Sequence, residues 1–546
     1  MPYGFFTKVG PAFRTEDKRM QIEMLLESIR GRSHKETIRV LDGILPIRKQ
    51  NAPAVAQPMQ FKPLEIDGIE WRDGAYHPVS IDEVRCLVRE ASNAKRKLRV
   101  AGSRHSAEPA VFSSNNNDLR VVLDGDDDGE LKRLDLLSQD ATGALVRIGA
   151  GCYMGHNPAE PKSTWANSLD GQLAALGVSL PLTGGITHQT VAGFMQTSSS
   201  GGSLKYRFAD AVRSIEWVDG QSNIQTFDQG TPEFSAVGVA CGLFGVITRV
   251  TLWCEPLYFV DGSEINYELA DSFLTKNADG HYLLEDALAN NEFMHLNWFP
   301  QRKVQRVMQW VGQRVNPTLP VKPYNSELKS EWMDLLAAVV LRITNILDHF
   351  NPNDELVAAL IGQVLRPFVG LDHHEDFHDY WYHALPSDDE VDVENLITIK
   401  FTEIWLPIPQ LTVALDRLFA AIEREQRMAG NFAVELYGAK ESPFWISPSN
   451  GRDVVRVDVF WWGHNLGDPR EFFTYYWNTL LDIPGARLHW GKFLPTVGQK
   501  YGAVTFGPEF IANAYADHIA DWLRLRQTFD PHGVFLTDYW RSVFGL

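Results

Sequence analysis

A chain of 546 residues is longer than one ordinary hydrophobic core supports, so two or more domains are expected. Hydrophobic residues at 44% and charged residues at 22% are those of a soluble globular protein, and a net charge of −18 argues against a nucleic-acid partner, which needs clustered Lys and Arg. The four cysteines (Cys86, Cys152, Cys241, Cys254) form no CxxC pair, which argues against a disulfide framework or a zinc ribbon.

The opening MPYGFFTKVGPAFRTEDKR has no apolar core of a secretion signal, and no stretch reaches the ~18 apolar residues of a membrane span. A cytoplasmic setting without membrane association is the expectation. Residues 1–60 read as an extension: a charged, helix-patterned segment, then the linker-like NAPAVAQPMQ. Ser80 is placed to cap a helix over IDEVRCLVREASNAKRK. LRVAGSRHS follows as a short strand entering a Gly/Ser turn, and LRVVLDG and ALVRIGAGC are further strand-like runs. Strand, helix and strand with glycines at the junctions describe a small α/β module.

From Leu180 to Ser203 the chain carries Gly184, Gly185, Gly193, Gly201 and Gly202 among Thr and Ser, which suggests backbone packed against a bulky ligand. AVRSIEWVDG and FGVITRVTLWCEP return to β alternation, and a boundary is expected near Pro256. Beyond it, ITIKFTEIWLPI, NFAVELYG and VVRVDVFWW alternate as strands, while DLLAAVVLRITNIL, ELVAALIGQVL and LTVALDRLFAAIERE read as helices. Separate runs of strands and helices predict an α+β domain. The apolar helices between Trp332 and Leu365, and the aromatics at 444–446, 460–462 and 474–477, are read as core.

Gly102 and Ser103 follow a strand and free backbone N–H groups for an anionic diphosphate. GAGCYMG at 149–155 is not a dinucleotide fingerprint, because its third glycine is one residue late. His374-Glu375-Asp376-Phe377-His378 spells HExxH, which on a helix sets two imidazoles on one face for zinc with a glutamate base. Asp372, Asp376 and Asp379 crowd that segment, so a solvated charged helix is the preferred reading and a zinc-dependent hydrolase the alternative.

RVAGSRHS, PLTGGITHQTVAGFMQTSSSGG, DAVRSIEWVDG and CGLFGVITRVTL, in this order, resemble the FAD-binding domain of the vanillyl-alcohol oxidase (p-cresol methylhydroxylase type) family. LHWGK at 488–492 and FDPHGVF at 529–535 resemble its aldonolactone and alditol oxidase branch, so the resemblance covers residues ~70–256 and ~400–546. It implies an FAD domain over 61–258, an antiparallel α+β substrate (cap) domain over 259–510 and a segment, 511–546, returning to the FAD domain. It implies FAD bound covalently at its 8α position by His105, with O2 as acceptor. Gly102, Ser103, Arg104 and Ser106 would cradle the diphosphate, with Gly185, Thr190, Gly193, Ser200, Gly201 and Gly202 on the other side and Val246 and Ile247 at the adenosine end. Ile186 stands where doubly tethered relatives carry a cysteine, so one covalent link is implied.

Glu435, Tyr437, His489 and Lys492 are the implied catalytic residues, with Lys492 countering negative charge at flavin N1 and C2=O and His489 or Glu435 taking the hydroxyl proton. Tyr437 stands where the branch has the arginine of Glu-x-Arg, and Val534 where it has a lysine. A pocket without those two cations predicts a substrate other than a simple sugar alcohol.

Overall fold

The structure, a computed structural model, describes residues 64, 66, 68–112, 115, 117–123, 129–325, 355–386, 399–462 and 468–546. The expected extension over 1–60 and the first apolar helix, 334–347, lie outside the described residues. Among the described residues three large sheets follow one another along the chain, with a short hairpin of Lys500–Tyr501 and Val504–Thr505 besides. In the first, strands β1 (Glu70–Arg72), β2 (Ala75–His77), β3 (Leu98–Ala101) and β4 (Leu119–Val122) run in the order β1-β2-β4-β3, with β2–β4 and β3–β4 parallel. The helix Ile81–Asn93 crosses it; Ser80 Oγ accepts from the Glu83 N–H, and Val84, Leu87, Val88 and Ala91 are buried. That spacing of apolar residues follows the 3.6-residue helical period.

The second sheet holds β5 (Leu134–Asp140), β6 (Gly143–Gly149), β7 (Val178–Ser179), β8 (Val212–Asp219), β9 (Ile224–Asp228) and β10 (Gly245–Pro256), in the order β5-β6-β10-β8-β9, with β7 pairing β10. The C-terminal segment closes on both sheets. The helix Ile519–Phe529 sets Phe529 against Trp217, with ring centroids 5.4 Å apart, and Trp522 Nε1 donates to Ala236 O at 3.0 Å. Past it, the Leu98 N–H donates to Val534 O at 2.9 Å and Trp540 Nε1 to Ala110 O at 3.1 Å.

The third sheet is antiparallel: β11 (Phe259–Glu268), β12 (Phe293–Phe299), β13 (Arg306–Val315), β14 (His374–Tyr380), β15 (Ile399–Pro407), β16 (Val434–Ala439), β17 (Val454–Trp462) and β18 (Arg487–Leu488), in the order β14-β11-β13-β12-β16-β17-β15-β18. The helix Leu411–Arg424 buries Leu411, Ala414, Leu415, Leu418 and Ile422, and Pro469–Leu480 packs beside it. Phe444, Ile446, Tyr476 and Trp477 are core. The helix Glu355–Phe368 buries Ala358, Ile361, Leu365 and Phe368. Arg314 joins the second and third sheets: it lies 3.4 Å from the Tyr206 ring centroid and pairs with Glu255 at 2.6 Å.

The HExxH segment is a strand, not the expected helix. β14 pairs with β11 from His374↔Ile265 to Tyr380↔Phe259, so backbone hydrogen bonding to a partner distant in sequence decides its conformation. On a strand, residues four apart stand about 13 Å apart, too far to share one zinc. His374 is exposed and pairs with Asp376 at 3.1 Å; His378 pairs with Asp261 at 3.4 Å. His374→Ala is therefore expected to leave turnover within about three-fold of wild type, as surface changes do; steady-state kinetics checks it.

Candidate functional site

β3 delivers the chain into the turn 102–106, where Arg104 adopts a left-handed backbone (φ 65°). Gly102 has to be glycine: a β-carbon there would lie 2.4 Å from Thr190 Oγ1. Thr190 caps the helix Val191–Gln196 by accepting from the Gly193 N–H at 3.2 Å, and Ser103 Oγ donates to His188 O. These two glycine-containing segments face each other across a cavity partly open to solvent. Gly102, Ser103, Arg104, His105, Ser106, Thr190, Gly193, Val246 and Ile247 line it, as do Arg99, Ala150, Gly151 and Trp490.

Gly185, Ser200, Gly201 and Gly202 do not line this cavity. A β-carbon on Gly201 would lie 2.4 Å from Thr183 O and one on Gly202 2.2 Å from Met294 O, so Gly201 lets the glycine-rich segment fold back on itself and Gly202 lets it approach β12 of the third sheet. Ser200 lends its carbonyl to Arg456.

The third sheet carries a polar patch on one face. Strand register places Asn297, Glu435, Asp458 and Glu403 in one cross-strand row and His295, Tyr437, Arg456 and Trp405 in the next. Residues two apart on a strand share a face, so the rows form one patch. Arg456 is its hub. Nη2 donates to Asp458 Oδ2 and Tyr437 Oη at 2.8 Å and to Glu403 Oε2 at 3.1 Å, and Nη1 donates to Ser200 O at 2.6 Å. The cation missing at position 437 thus stands one strand over. Glu403, Arg456 and Asp458 escaped the sequence reading, although each is a charged residue at an inward position of an apolar strand.

The loop 489–492 ties patch to cavity. Its Gly491 carbonyl accepts from the Ala107 N–H at 2.7 Å, just beyond the 102–106 turn, and a β-carbon on Gly491 would lie 2.8 Å from Ser106 Oγ. Lys492 Nζ stands 3.9 Å from Glu403 Oε1 and 3.3 Å from the Phe401 ring centroid. Tyr437, His489 and Lys492 are buried, while Glu435 keeps an accessible edge.

Burial works against ionisation of Glu403, yet Arg456, His489 and Lys492 hold its carboxyl down at about 2. Burial pushes Glu435 up to about 7, the neighbouring Glu403 adding to the effect and Arg456 and Lys492 opposing it. Burial also pushes Asp458 well above the usual carboxylate range, against the pull of Arg456. His489 is driven down to about 3, chiefly by burial, and stays neutral. Its Nδ1 accepts from the Gly491 N–H at 3.1 Å, so the ring proton sits on Nε2 and this imidazole is a donor. Glu435 combines an accessible edge with a proton affinity raised to near neutrality.

Residues 73–228 match the FAD binding domain family and residues 275–543 the D-arabinono-1,4-lactone oxidase family. The chain thus carries a p-cresol methylhydroxylase-type FAD binding domain followed by a D-arabinono-1,4-lactone oxidase domain. This flavoprotein is 20% identical to the L-gulonolactone oxidase of Scyliorhinus torazame, over 86% of this chain and 94% of that one. It is 25% identical to the D-arabinono-1,4-lactone oxidase of Eremothecium gossypii (85% and 91%) and 23% to the alditol oxidase of a Streptomyces species (80% and 91%). A cholesterol oxidase from Brevibacterium sterolicum shares the fold, with a TM-score of 0.64 at 14% identity over 88% of this chain and 99% of that one. The flavoprotein is an FAD-dependent oxidoreductase with an α+β architecture, and the zinc-hydrolase alternative finds no support.

The cavity suits the cofactor. It is lined by small residues at 101–103, 150–151 and 192–193 and by apolar Val246 and Ile247; none of the described residues lining it is Asp or Glu. Among the described residues, no helix is long and apolar enough to cross a membrane.

Proposed function

We propose that the protein oxidises a neutral CH–OH group of a small organic substrate, held between the cavity and the polar patch, with O2 taking up the two electrons. The carrying observation is Glu435, a carboxyl pushed up to about 7 beside a cation, on a patch that the loop 489–492 ties to the cofactor cavity. FAD, when bound, supplies the hydride acceptor. Deprotonated Glu435 takes the hydroxyl proton, leaving a C=O group as the C–H hydride departs. His489 offers its Nε2–H to an oxygen, Tyr437 holds the patch through Asp458, and Lys492 places positive charge where negative charge develops. On this reading residues 61–258 with 511–546 form the FAD domain and 259–510 the cap. Anaerobic bleaching of the flavin against a panel of alcohols, lactones and amines tests it: no bleaching by any CH–OH compound would remove the proposal.

Substrate hydroxyls find few donors here. Arg456 is committed to Glu403, Asp458, Tyr437 and Ser200. Xylitol and gulonolactone are therefore expected to be poor substrates, turned over well below the ~1–1000 s⁻¹ usual for enzymes. Turnover of either within that range contradicts the expectation.

The covalent link belongs to the same proposal. His105 lines the cavity in the turn that follows β3, its ring centroid 5.8 Å from that of His188. After acid precipitation and denaturing electrophoresis, flavin fluorescence is expected to stay with the wild-type band and to leave it in His105→Ala. Free FAD in the wild-type supernatant would refute the bond while leaving the fold untouched.

A further inference from the structure

Arg99 lies on β3, is 5% exposed and lines the cofactor cavity. All five of its N–H bonds go to backbone carbonyls. Nε donates to Val111 O at 3.0 Å, Nη1 to Gly242 O and Phe535 O at 3.2 Å each, and Nη2 to Ala110 O at 2.8 Å and Cys241 O at 2.7 Å. Four pieces of chain, including the C-terminal segment through Phe535, thus meet on one guanidinium. Among the described residues it has no carboxylate partner, in contrast to buried Arg456 and Arg526, which pair with acids at 2.8 Å. A buried charge without a counter-charge is costly, and carbonyl dipoles offset only part of that cost. Burial pulls Arg99 down to about 10, as an uncompensated cation should be. In a chain with 69 acidic residues, no described residue lining this cavity is acidic. An anionic cofactor held in the cavity would bring negative charge to this guanidinium.

We propose that Arg99 is the buried counter-charge of the anionic diphosphate of FAD, acting through its field, and that cofactor loading and docking of the C-terminal segment are coupled through it. No donor of Arg99 is left for a hydrogen bond to phosphate, so the charge itself is what matters. A purely structural staple would care about the fork of donors; a counter-charge cares about the sign. Lysine keeps the charge and loses the fork, whereas methionine loses both.

The test uses the flavin-free His105→Ala protein, in which the cofactor exchanges freely, with Arg99→Met and Arg99→Lys added separately. Dissociation constants for FAD are read from flavin fluorescence. Arg99→Met is expected to weaken FAD on the order of ten- to a hundred-fold, and Arg99→Lys less than about five-fold. Equal losses in the two variants, or unchanged binding in Arg99→Met, overturn the proposal. Arg99→Met also strands five carbonyls, and should it fail to fold, the Arg99-intact protein decides. ADP is then expected to raise the unfolding temperature of the flavin-free form and adenosine to leave it in place; equal shifts overturn the proposal.

Discussion

Glu435→Gln is expected to lower kcat by roughly 10²–10⁴, the usual worth of a positioned general base. Glutamine keeps the size of the side chain and its place on β16 but cannot accept the proton. The pH profile carries the stronger test. Burial raises the Glu435 pKa to about 7, so the carboxyl is protonated below that pH and ionised above it. A base must be deprotonated to act, so kcat/KM in the wild type rises through about pH 7 and levels off above it. In Glu435→Gln that limb disappears. His489 cannot supply it, since burial keeps its pKa at about 3 and Nδ1 already accepts from Gly491. A limb near pH 7 that survives in Glu435→Gln would assign the proton to another group. FAD content should stay at the wild-type level, because Glu435 does not line the cofactor cavity.

The two halves of the site differ in how they could be read from the sequence. The turn 102–106 was legible because its chemistry is local: strand, glycine, serine and histidine are consecutive, and what the turn can bind follows from its own backbone. The loop 489–492 was reached only through the family resemblance of LHWGK, because a lone histidine and lysine read locally as core and surface. The patch was not legible locally. Glu403, Glu435, Arg456 and Asp458 sit on three strands whose register no single segment contains, and only the pairings Glu435↔Asp458 and Glu403↔Asp458 bring them together. A trace was present nevertheless: His295 and Asn297, Glu403 and Trp405, Glu435 and Tyr437, and Arg456 and Asp458 are each two apart on an apolar strand, the spacing of one sheet face. The glycine run misled in part, because Gly201 and Gly202 give way to protein backbone instead of a ligand. The HExxH segment misled by its spacing. Alternation of exposed His374 and Asp376 with buried Phe377 and Asp379 was the better guide, as pairing with β11 shows.

Lys492→Met is expected to cost on the order of 10²–10³ in kcat, the worth of one charge aimed at a developing anion in a dry site. Lys492 is 9% exposed and stands 3.9 Å from Glu403 Oε1, so its charge acts at low dielectric and is poorly screened. Two further readouts separate this role from a packing role. Lys492 lowers the proton affinity of Glu435, so its removal moves the rising limb of kcat/KM to a pH above about 7. Loss of a cation beside the cavity also makes reduction of the bound flavin less favourable, so its potential falls. Lys492→Arg keeps the charge and is expected to restore both the potential and the pH midpoint, though kcat only in part, because a planar fork does not fill the place of an ammonium. Titration of the bound flavin against a reference dye, with the pH profile alongside, checks the pair. A fall in kcat with neither readout moved would make Lys492 a packing residue and leave Arg456 as the cation the chemistry relies on.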